Sequence, residues 1–288
     1  MTRWLSIIAL ITVCAGPLQA QDVSGVTLQR IADKGVFTIG YVPDAAPMSF
    51  DTPDGKVSGY SIELCRHIGA AVRKRLGRDD LETRYVPLIA PQERIDGVVD
   101  GKVDIECGAT TVTLSRREQV DFTLMTFITG ATVLSKRAKP IPTLEDLPGK
   151  TIAVISGTTT YSALREFGVT NEYNFSLRLI DTHDEGMRLL NAGDVDGYAS
   201  DRVMLLGQVF RSANARDYQL ARSVFSFEPY SLMLTRGDTE FRLLADSALA
   251  ALYRDARIRR LYQDWFGRFG EPLSPIVEAM YEFQAVSN

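Results

Sequence analysis

The stretch GKVDIECGATTVTLSRREQVDF, residues 101–122, combines a short strand, a turn of small residues and the start of a helix. Apolar and acidic positions alternate over 103–107, which predicts a short buried strand. The GATT turn at 108–111 carries two hydroxyl groups, and Thr113 or Ser115 is placed to cap the helix that follows. In α/β sheets such a turn lies at the carboxyl end of a strand, where ligands bind.

Arg116 lies in the first turn of this predicted helix. A cation there opposes the helix dipole, which favours acidic groups at that end, so helix stability does not explain it. The planar guanidinium can hold a carboxylate by two parallel hydrogen bonds, beside the backbone N–H groups around Thr111. A solvated arginine at a helix end is the alternative, and the residue pattern leaves both open.

Asp201 follows a predicted strand at 196–199 and precedes a predicted helix at 202–210. Its carboxylate can bind an ammonium group at the end of that strand. It can equally cap the helix, which is the commoner role for an aspartate in this position. The residue pattern alone favours the cap.

The chain contains a faint internal repeat. An amphipathic helix followed by GKVD occurs at 94–104, and a similar helix followed by GDVD occurs at 186–196. Each follows an earlier strand, loop and helix, so the pattern predicts two α/β units of similar plan with largely parallel sheets. Extended apolar segments at 127–136 and 230–235 flank the second unit and are predicted to cross between the two.

The predicted fold is therefore α/β with two lobes, each a mixed, mostly parallel sheet flanked by helices and joined by two hinge strands. The predicted limits are 22–131 plus 234–288 for lobe 1 and 132–233 for lobe 2. Residues 1–20 have the features of a secretory signal peptide: Arg3, an apolar core over 4–15 and a cleavage site after Ala20. We therefore expect the mature protein in the periplasm.

Composition excludes several classes of function. The net charge of −4 and the absence of a basic stripe leave no electrostatic footprint for nucleic acid. Two histidines, without cysteine or carboxylate spacing suited to zinc, predict no metal. We expect no cofactor, because the chain lacks the common nucleotide-binding and hydrolase motifs.

Five segments carry a family resemblance: GYSIEL at 59–64, ERI at 93–95, ECGATT at 106–111, SGTT at 156–159 and Asp201. Together they resemble the periplasmic amino-acid-binding proteins of ABC importers (solute-binding protein family 3), and within them the glutamate/aspartate-binding branch. The resemblance implies a two-lobed periplasmic-binding-protein fold of type II. It also implies a monomer, an amino-acid ligand and a membrane permease as partner.

The resemblance also implies roles for individual residues. Arg116, with Thr111 and Ala109 in the turn, would hold the ligand's α-carboxylate, and Asp201 would bind its α-ammonium. The region around the ligand's side chain would be lined by Arg94, Ser156, Thr158, Thr159 and His183. Tyr60, with Tyr41 and Phe50, is placed by sequence either to form apolar walls of the pocket or to pack in the core.

The chain departs from the glutamate/aspartate branch at two pocket positions. Val42 stands where that branch has a second arginine, and Ala109 stands where it has a serine. Both changes remove polar partners, and a buried carboxylate that loses its charged partner is strongly disfavoured. A neutral or smaller amino acid therefore competes with an acidic one as the expected ligand.

The cysteines also depart from the branch. The late cysteine that pairs with the ECG cysteine in that branch is replaced here by Leu232. In an oxidising compartment, Cys65 and Cys107 could pair with each other instead. Two buried free thiols are an equal alternative, which spacing cannot decide.

We predict a binding protein, not an enzyme, which closes its lobes over a polar or acidic amino acid of the glutamate/aspartate type. One alternative is a secreted enzyme resembling cyclohexadienyl dehydratases, which would need a general acid in the cleft, such as Glu106 or Glu185. Another is a binding module that serves a sensor.

Overall fold

The computed structural model describes residues 25–270 and 272–287, an α/β chain of two five-stranded sheets flanked by helices. The helices are α1 Val26–Lys34, α2 Tyr60–Leu76, α3 Pro91–Val99, α4 Leu114–Arg117, α5 Thr159–Thr170, α6 His183–Ala192, α7 Arg202–Arg211, α8 Thr239–Arg254, α9 Arg257–Phe266 and α10 Pro275–Phe283. The predicted signal peptide, 1–20, lies outside the described residues. Within the described part, no helix has the length and apolar character needed to cross a bilayer.

The strands are β1 Val36–Tyr41, β2 Asp44–Ala45, β3 Ser49–Asp51, β4 Val57–Ser58, β5 Glu82–Pro87, β6 Ile105–Glu106, β7 Val120–Thr129, β8 Ala131–Lys136, β9 Thr151–Ile155, β10 Ser176–Ile180, β11 Gly197–Asp201, β12 Tyr218–Leu220 and β13 Glu228–Thr235. The first sheet has the order β5-β1-β6-β13-β7 and the second the order β10-β9-β11-β8-β12, while β2, β3 and β4 form a small third sheet. The two large sheets confirm the predicted two-lobed α/β fold.

Both large sheets are mixed, but they are less parallel than the predicted "mostly parallel" arrangement. In the first sheet, β1 runs parallel to β5 and β6, whereas β13 runs antiparallel to β6 and β7. In the second, β9 runs parallel to β10 and β11, whereas β8 runs antiparallel to β11 and β12. The antiparallel pairings involve the strands next to the lobe crossings, β7, β8 and β13.

The chain passes from the first sheet to the second at Gly130, between β7 and β8. A Cβ at this position would lie 2.5 Å from the carbonyl oxygen of Ser226 on the returning segment, so only glycine allows the two crossings to run this close. The return is complete by Glu228, which already pairs with Thr129 of β7. The predicted boundary at 233/234 therefore falls inside a first-sheet strand, and we propose that lobe 2 spans 131 to about 227.

A disulfide bond joins Cys65 to Cys107, with 6.4 Å between their Cα atoms. Of the two possibilities that the sequence left open, a disulfide or two buried free thiols, the structure contains the disulfide. Cys65 lies on the buried face of α2, and Cys107 directly follows β6. The bond therefore anchors the start of the GATT turn to the core of the first lobe.

Candidate functional site

A cavity of about 60 Å³ lies between the two lobes. It is bounded by α3, α4 and the turn after β6 on the first-lobe side, and by the starts of α5 and α6 and the end of β11 on the second. The predicted residues that line it are Ala109, Thr111, Arg116, Arg94, Thr158, Thr159, His183 and Asp201. The cavity thus lies at the carboxyl ends of strands, as expected for an α/β sheet.

Arg116 reaches the cavity from α4, a helix of only four residues. The cap is Thr113, whose hydroxyl accepts the Arg116 N–H at 3.1 Å. One guanidinium nitrogen donates to the Thr111 carbonyl at 2.6 Å, which fixes the side chain against the turn. Burial, followed by the charge of Arg94, lowers the pKa of Arg116. A single helical turn offers no anion site of its own, so any carboxylate binding here depends on the guanidinium.

Asp201 approaches from the opposite lobe, at the end of β11. It occupies the N-cap position of α7 but its side chain makes no capping hydrogen bond. Its carboxylate instead accepts hydrogen bonds from Thr160 Oγ1 at 3.1 Å and from the Tyr230 hydroxyl. Burial, with the nearby Glu228 charge, raises the pKa of Asp201 to about 7. A cation placed beside it would favour the ionised form, which is what an ammonium group supplies.

Glu228 is a site residue that the sequence analysis missed. One carboxylate oxygen accepts from Thr111 Oγ1 at 2.6 Å and from Thr159 Oγ1 at 2.7 Å, and the other accepts from Ser226 at 2.6 Å. Since Thr111 and Thr159 belong to different lobes, Glu228 bridges the lobes behind the cavity. The sequence does contain a sign of this role: Glu228 is an acidic residue at the start of the otherwise mainly apolar segment EPYSLML. An acidic side chain that is buried in such a segment needs hydrogen-bond partners.

Arg94 lines the cavity from α3, next to the fully buried Glu106 of β6. Both contact the Thr110 hydroxyl, which donates to Glu106 at 3.0 Å and lies 3.4 Å from an Arg94 nitrogen. Burial raises the pKa of Glu106, and the charge of Arg94 acts in the opposite direction. A Cβ on Gly108 would lie 2.2 Å from the Glu106 carboxylate, so this glycine makes room for the acid beneath the turn.

His183 begins α6 and lines the cavity, with its Nδ1 2.6 Å from the Tyr198 hydroxyl. Burial lowers its pKa, so the imidazole is neutral near pH 7. Thr158 has a local role as well, because its hydroxyl accepts the Tyr161 N–H and caps α5. Val42 and Ala109, the two departures from the branch, both line the cavity.

Two predicted site residues lie elsewhere. Ser156 is exposed and does not line the cavity, but it borders an adjoining surface groove that shares Arg116 and Ile155 with the cavity. Tyr60 is fully buried in the first-lobe core, where its hydroxyl donates to the Thr126 carbonyl at 2.9 Å and contacts the Tyr281 hydroxyl. It opens α2 on the face that packs against β7, α9 and α10, so it cannot reach the cavity.

The other two aromatic candidates also pack away from the cavity. Tyr41 makes an edge contact with Tyr85, and Phe50 makes one with Trp265. Tyr41 belongs to the first-lobe core, whereas Phe50 is half-buried, with the Arg211 guanidinium 5.6 Å from its ring centre, and neither residue lines the cavity. Aliphatic side chains, including Val42, Ile155 and Met204, line the cavity instead.

The two acids considered for the enzyme alternative do not line this cavity. Glu106 has no exposed surface and lies beneath the turn. Glu185 accepts the Asp181 N–H at 3.1 Å at the start of α6. Across residues 25–270 and 272–287, no cluster of three or more histidine, cysteine or acidic side chains is arranged to hold a metal ion.

Comparison with known proteins gives a consistent match. The model of the bacterial extracellular solute-binding proteins, family 3, matches residues 37–268. The L-glutamate/L-aspartate-binding protein of Pseudomonas aeruginosa is 31% identical over 94% of this chain and 88% of its own. The glutamate/aspartate import solute-binding protein of Salmonella typhimurium is 32% identical over 88% and 84%. Among solved structures, an ancestral arginine-binding protein bound to glutamine is 27% identical with a TM-score of 0.71, over 81% of this chain and 98% of that one.

Proposed function

This chain belongs to the bacterial extracellular solute-binding proteins of family 3, and we propose that it captures an amino acid for an ABC importer. The ligand is an α-amino acid with a polar or acidic side chain, as the names of its relatives suggest. The protein works in the periplasm as a monomer and delivers its ligand to the importer's membrane permease. The relatives are named as binding proteins, which supports binding over catalysis.

The observation that carries this proposal is the placement of Arg116 and Asp201. They come from different lobes and line one cavity. The guanidinium suits the α-carboxylate of the ligand and the Asp201 carboxylate suits its α-ammonium. The backbone N–H groups of the two turns, at Thr111 and Thr158, complete the site, because the hydroxyls of both residues are already hydrogen-bonded within the protein.

Ligand binding favours the closed arrangement because only that arrangement presents both charged groups to one zwitterion. The two crossings, at Gly130 and just before Glu228, allow the lobes to move relative to each other. In the closed state they are joined by the Thr159–Glu228 hydrogen bond and by the bond from Gln208 to the Asp44 carbonyl at 2.6 Å. The closed surface is what the permease recognises.

The test is a thermal-shift screen of the twenty amino acids, followed by calorimetry on those that stabilise the protein. We expect Arg116→Ala to reduce affinity at least a hundredfold and Asp201→Asn to cost about 2–5 kcal/mol of binding free energy. Matched controls are Arg117→Ala, an exposed arginine on the same helical turn, and Asp194→Asn, an exposed aspartate. If folded protein binds none of the amino acids, or if both site variants bind like their controls, the proposal is wrong.

A further inference from the structure

A second cavity, which we call the hinge cavity, lies where the chain crosses between the lobes and has a volume of about 330 Å³. It is bounded by the end of β7, α9 and α10 on the first-lobe side, by α7 on the second-lobe side, and by Gly130 and Ser226 at the two crossings. Among the described residues, it shares none with the cavity that contains Arg116 and Asp201. Its volume lies within the range of about 300–1,000 Å³ that is typical of small-molecule sites.

The inner walls of the hinge cavity are aromatic. Phe127 packs on Phe266 and Tyr262, with 4.8 and 6.1 Å between the ring centres. Phe269 lines the cavity and contacts Phe210 of α7, with 5.1 Å between ring centres, so rings from the two lobes meet beside it. Because packed rings hold each other in place, the cavity is preformed for the apolar part of a ligand.

The rim of the hinge cavity exposes large apolar side chains. Val224 is 49% exposed, Phe227 60% and Ile276 52%, and all three line the cavity. Val224 and Phe227 belong to the returning crossing, whereas Ile276 lies in the first turn of α10. Single exposed apolar residues are common on protein surfaces, but a group of them around one cavity is typical of a binding site.

A groove along α7 adjoins the hinge cavity. It has a volume of about 470 Å³ and is lined by Val209 of α7, by the edge strand β12, and by Arg137 and Arg222, so we call it the arginine groove. Arg202 and Leu206 line both spaces. Because Arg202, Leu206 and Val209 follow each other at intervals of four and three residues, they share one face of α7. The arginine groove therefore extends the hinge cavity along that face.

The arginine groove is positively charged. Arg137 and Arg222 are exposed, and no acidic residue of the described chain lines either the groove or the hinge cavity. The Arg137 Nε donates to the Arg216 carbonyl at 2.8 Å, and the Asp217 carbonyl accepts the Arg137 backbone N–H at 2.8 Å. Neither of these acceptors is charged, so neither neutralises the guanidinium. Guanidinium groups beside an apolar cavity suit an anion with an apolar body, and their planar donors match a carboxylate.

We propose that the hinge cavity and the arginine groove form a second ligand site, which takes a carboxylate with a long apolar body, such as a medium-chain fatty acid. The apolar chain fills the hinge cavity, and the carboxylate binds the guanidinium groups of Arg137 and Arg222. A ligand in this position contacts both lobes and both crossings, so it stabilises the arrangement of the lobes that forms the cavity. The site is separate from the proposed amino-acid site, and its test does not depend on which amino acid binds there.

The experiment is calorimetric titration of the protein, without its predicted signal peptide, at pH 7.5 with octanoate, decanoate and octan-1-ol, each below the concentration at which it forms micelles. We expect one decanoate to bind per chain, about fifteenfold tighter than octanoate because two more CH₂ groups are buried. Octanoate should bind at least fivefold tighter than octan-1-ol, which has the same chain length but no charge. If neither carboxylate binds, the cavity does not serve this class of ligand and the proposal is wrong. Equal binding of octanoate and octan-1-ol would also overturn it.

Two variants test the two parts of the site. Ile276→Asp places a negative charge on the apolar rim, at a helix start that tolerates an acid, and should weaken decanoate binding at least tenfold. Its matched control is Leu243→Asp, at an exposed leucine of α8 that lines neither space. Arg222→Gln should weaken octanoate at least threefold and leave octan-1-ol unchanged, with the exposed Arg236→Gln as its control. If both site variants bind decanoate and octanoate as their controls do, the carboxylates bind elsewhere and the proposal is wrong.

Hydrogen–deuterium exchange locates the bound carboxylate independently of these variants. With saturating decanoate, we expect slower exchange of backbone amides in the crossing segments 127–131 and 223–227. Protection that is confined to other segments of the chain would overturn the assignment of the site. Circular dichroism and the melting temperature establish that each variant is folded.

Discussion

Ligand affinity should depend on pH through Asp201. Without ligand its pKa is about 7, because burial and the Glu228 charge outweigh the hydrogen bonds from Tyr230 and Thr160. Binding an ammonium group requires the ionised carboxylate, so affinity follows the ionised fraction. With a pKa of about 7, that fraction falls from about ten elevenths at pH 8 to about one eleventh at pH 6. The expected loss of affinity is about tenfold, or about 1.4 kcal/mol.

The assay is calorimetry with a ligand whose side chain does not titrate, at pH 6, 7 and 8. At pH 7 in two buffers of different ionisation enthalpy, binding should release about half a proton per ligand. In Asp201→Asn the pH slope and the proton release should both disappear, whereas Asp194→Asn should retain them. An affinity that is flat from pH 6 to 8, or a slope that persists in Asp201→Asn, would refute the assignment.

Three further predictions follow from the same contacts. The variant Glu228→Gln removes a charge that raises the pKa of Asp201, so the midpoint of the pH dependence of ligand affinity should lie at a lower pH than in the parent. An unchanged midpoint would show that Glu228 does not act on Asp201 electrostatically. The Cys65–Cys107 bond spans 42 residues, so replacing both cysteines by alanine should lower the free energy of unfolding by about 4 kcal/mol. Urea denaturation measures this loss, and a loss below about 1 kcal/mol would contradict the prediction. The pKa of Asp201 is higher in the folded protein than the ordinary value of 3.8, so ionisation of this carboxyl group destabilises the ligand-free protein as pH rises from about 4 to 7. The variant Asp201→Asn should therefore have a higher melting temperature than the parent at pH 8, with a smaller increase at pH 5. A melting temperature below that of the parent at both pH values would contradict this prediction.

Much of the fold follows from local patterns. The alternation over 103–107, the GATT turn and the two similar helix–strand units predicted the strands and helices that build the two lobes. The predicted cap at Thr113 is present, although α4 ends after four residues. Arg116 was identified because a cation in the first turn of a helix is locally unfavourable, a conflict that residue identity alone reveals.

Side-chain direction was less predictable. Tyr60 and Asp201 both lie where a strand or loop meets a helix, yet one faces the core and the other faces the cavity. The difference depends on which neighbouring helices pack on each face, and no local pattern encodes that. Glu228 was missed for the same reason, because two of its three hydroxyl partners, Thr111 and Thr159, come from distant parts of the chain.

Local patterns in the chain were enough to predict the two α/β units, the small hydroxyl-bearing turns and the residue types suited to a zwitterion. These follow from interactions within a few residues, which set helix, strand and turn. Long-range packing places Arg116 and Asp201 in one cavity, pairs Cys65 with Cys107 and lets Glu228 join the lobes. Those distances depend on how the chain crosses twice between its lobes and packs there, and packing between distant segments leaves no periodic mark in a single sequence.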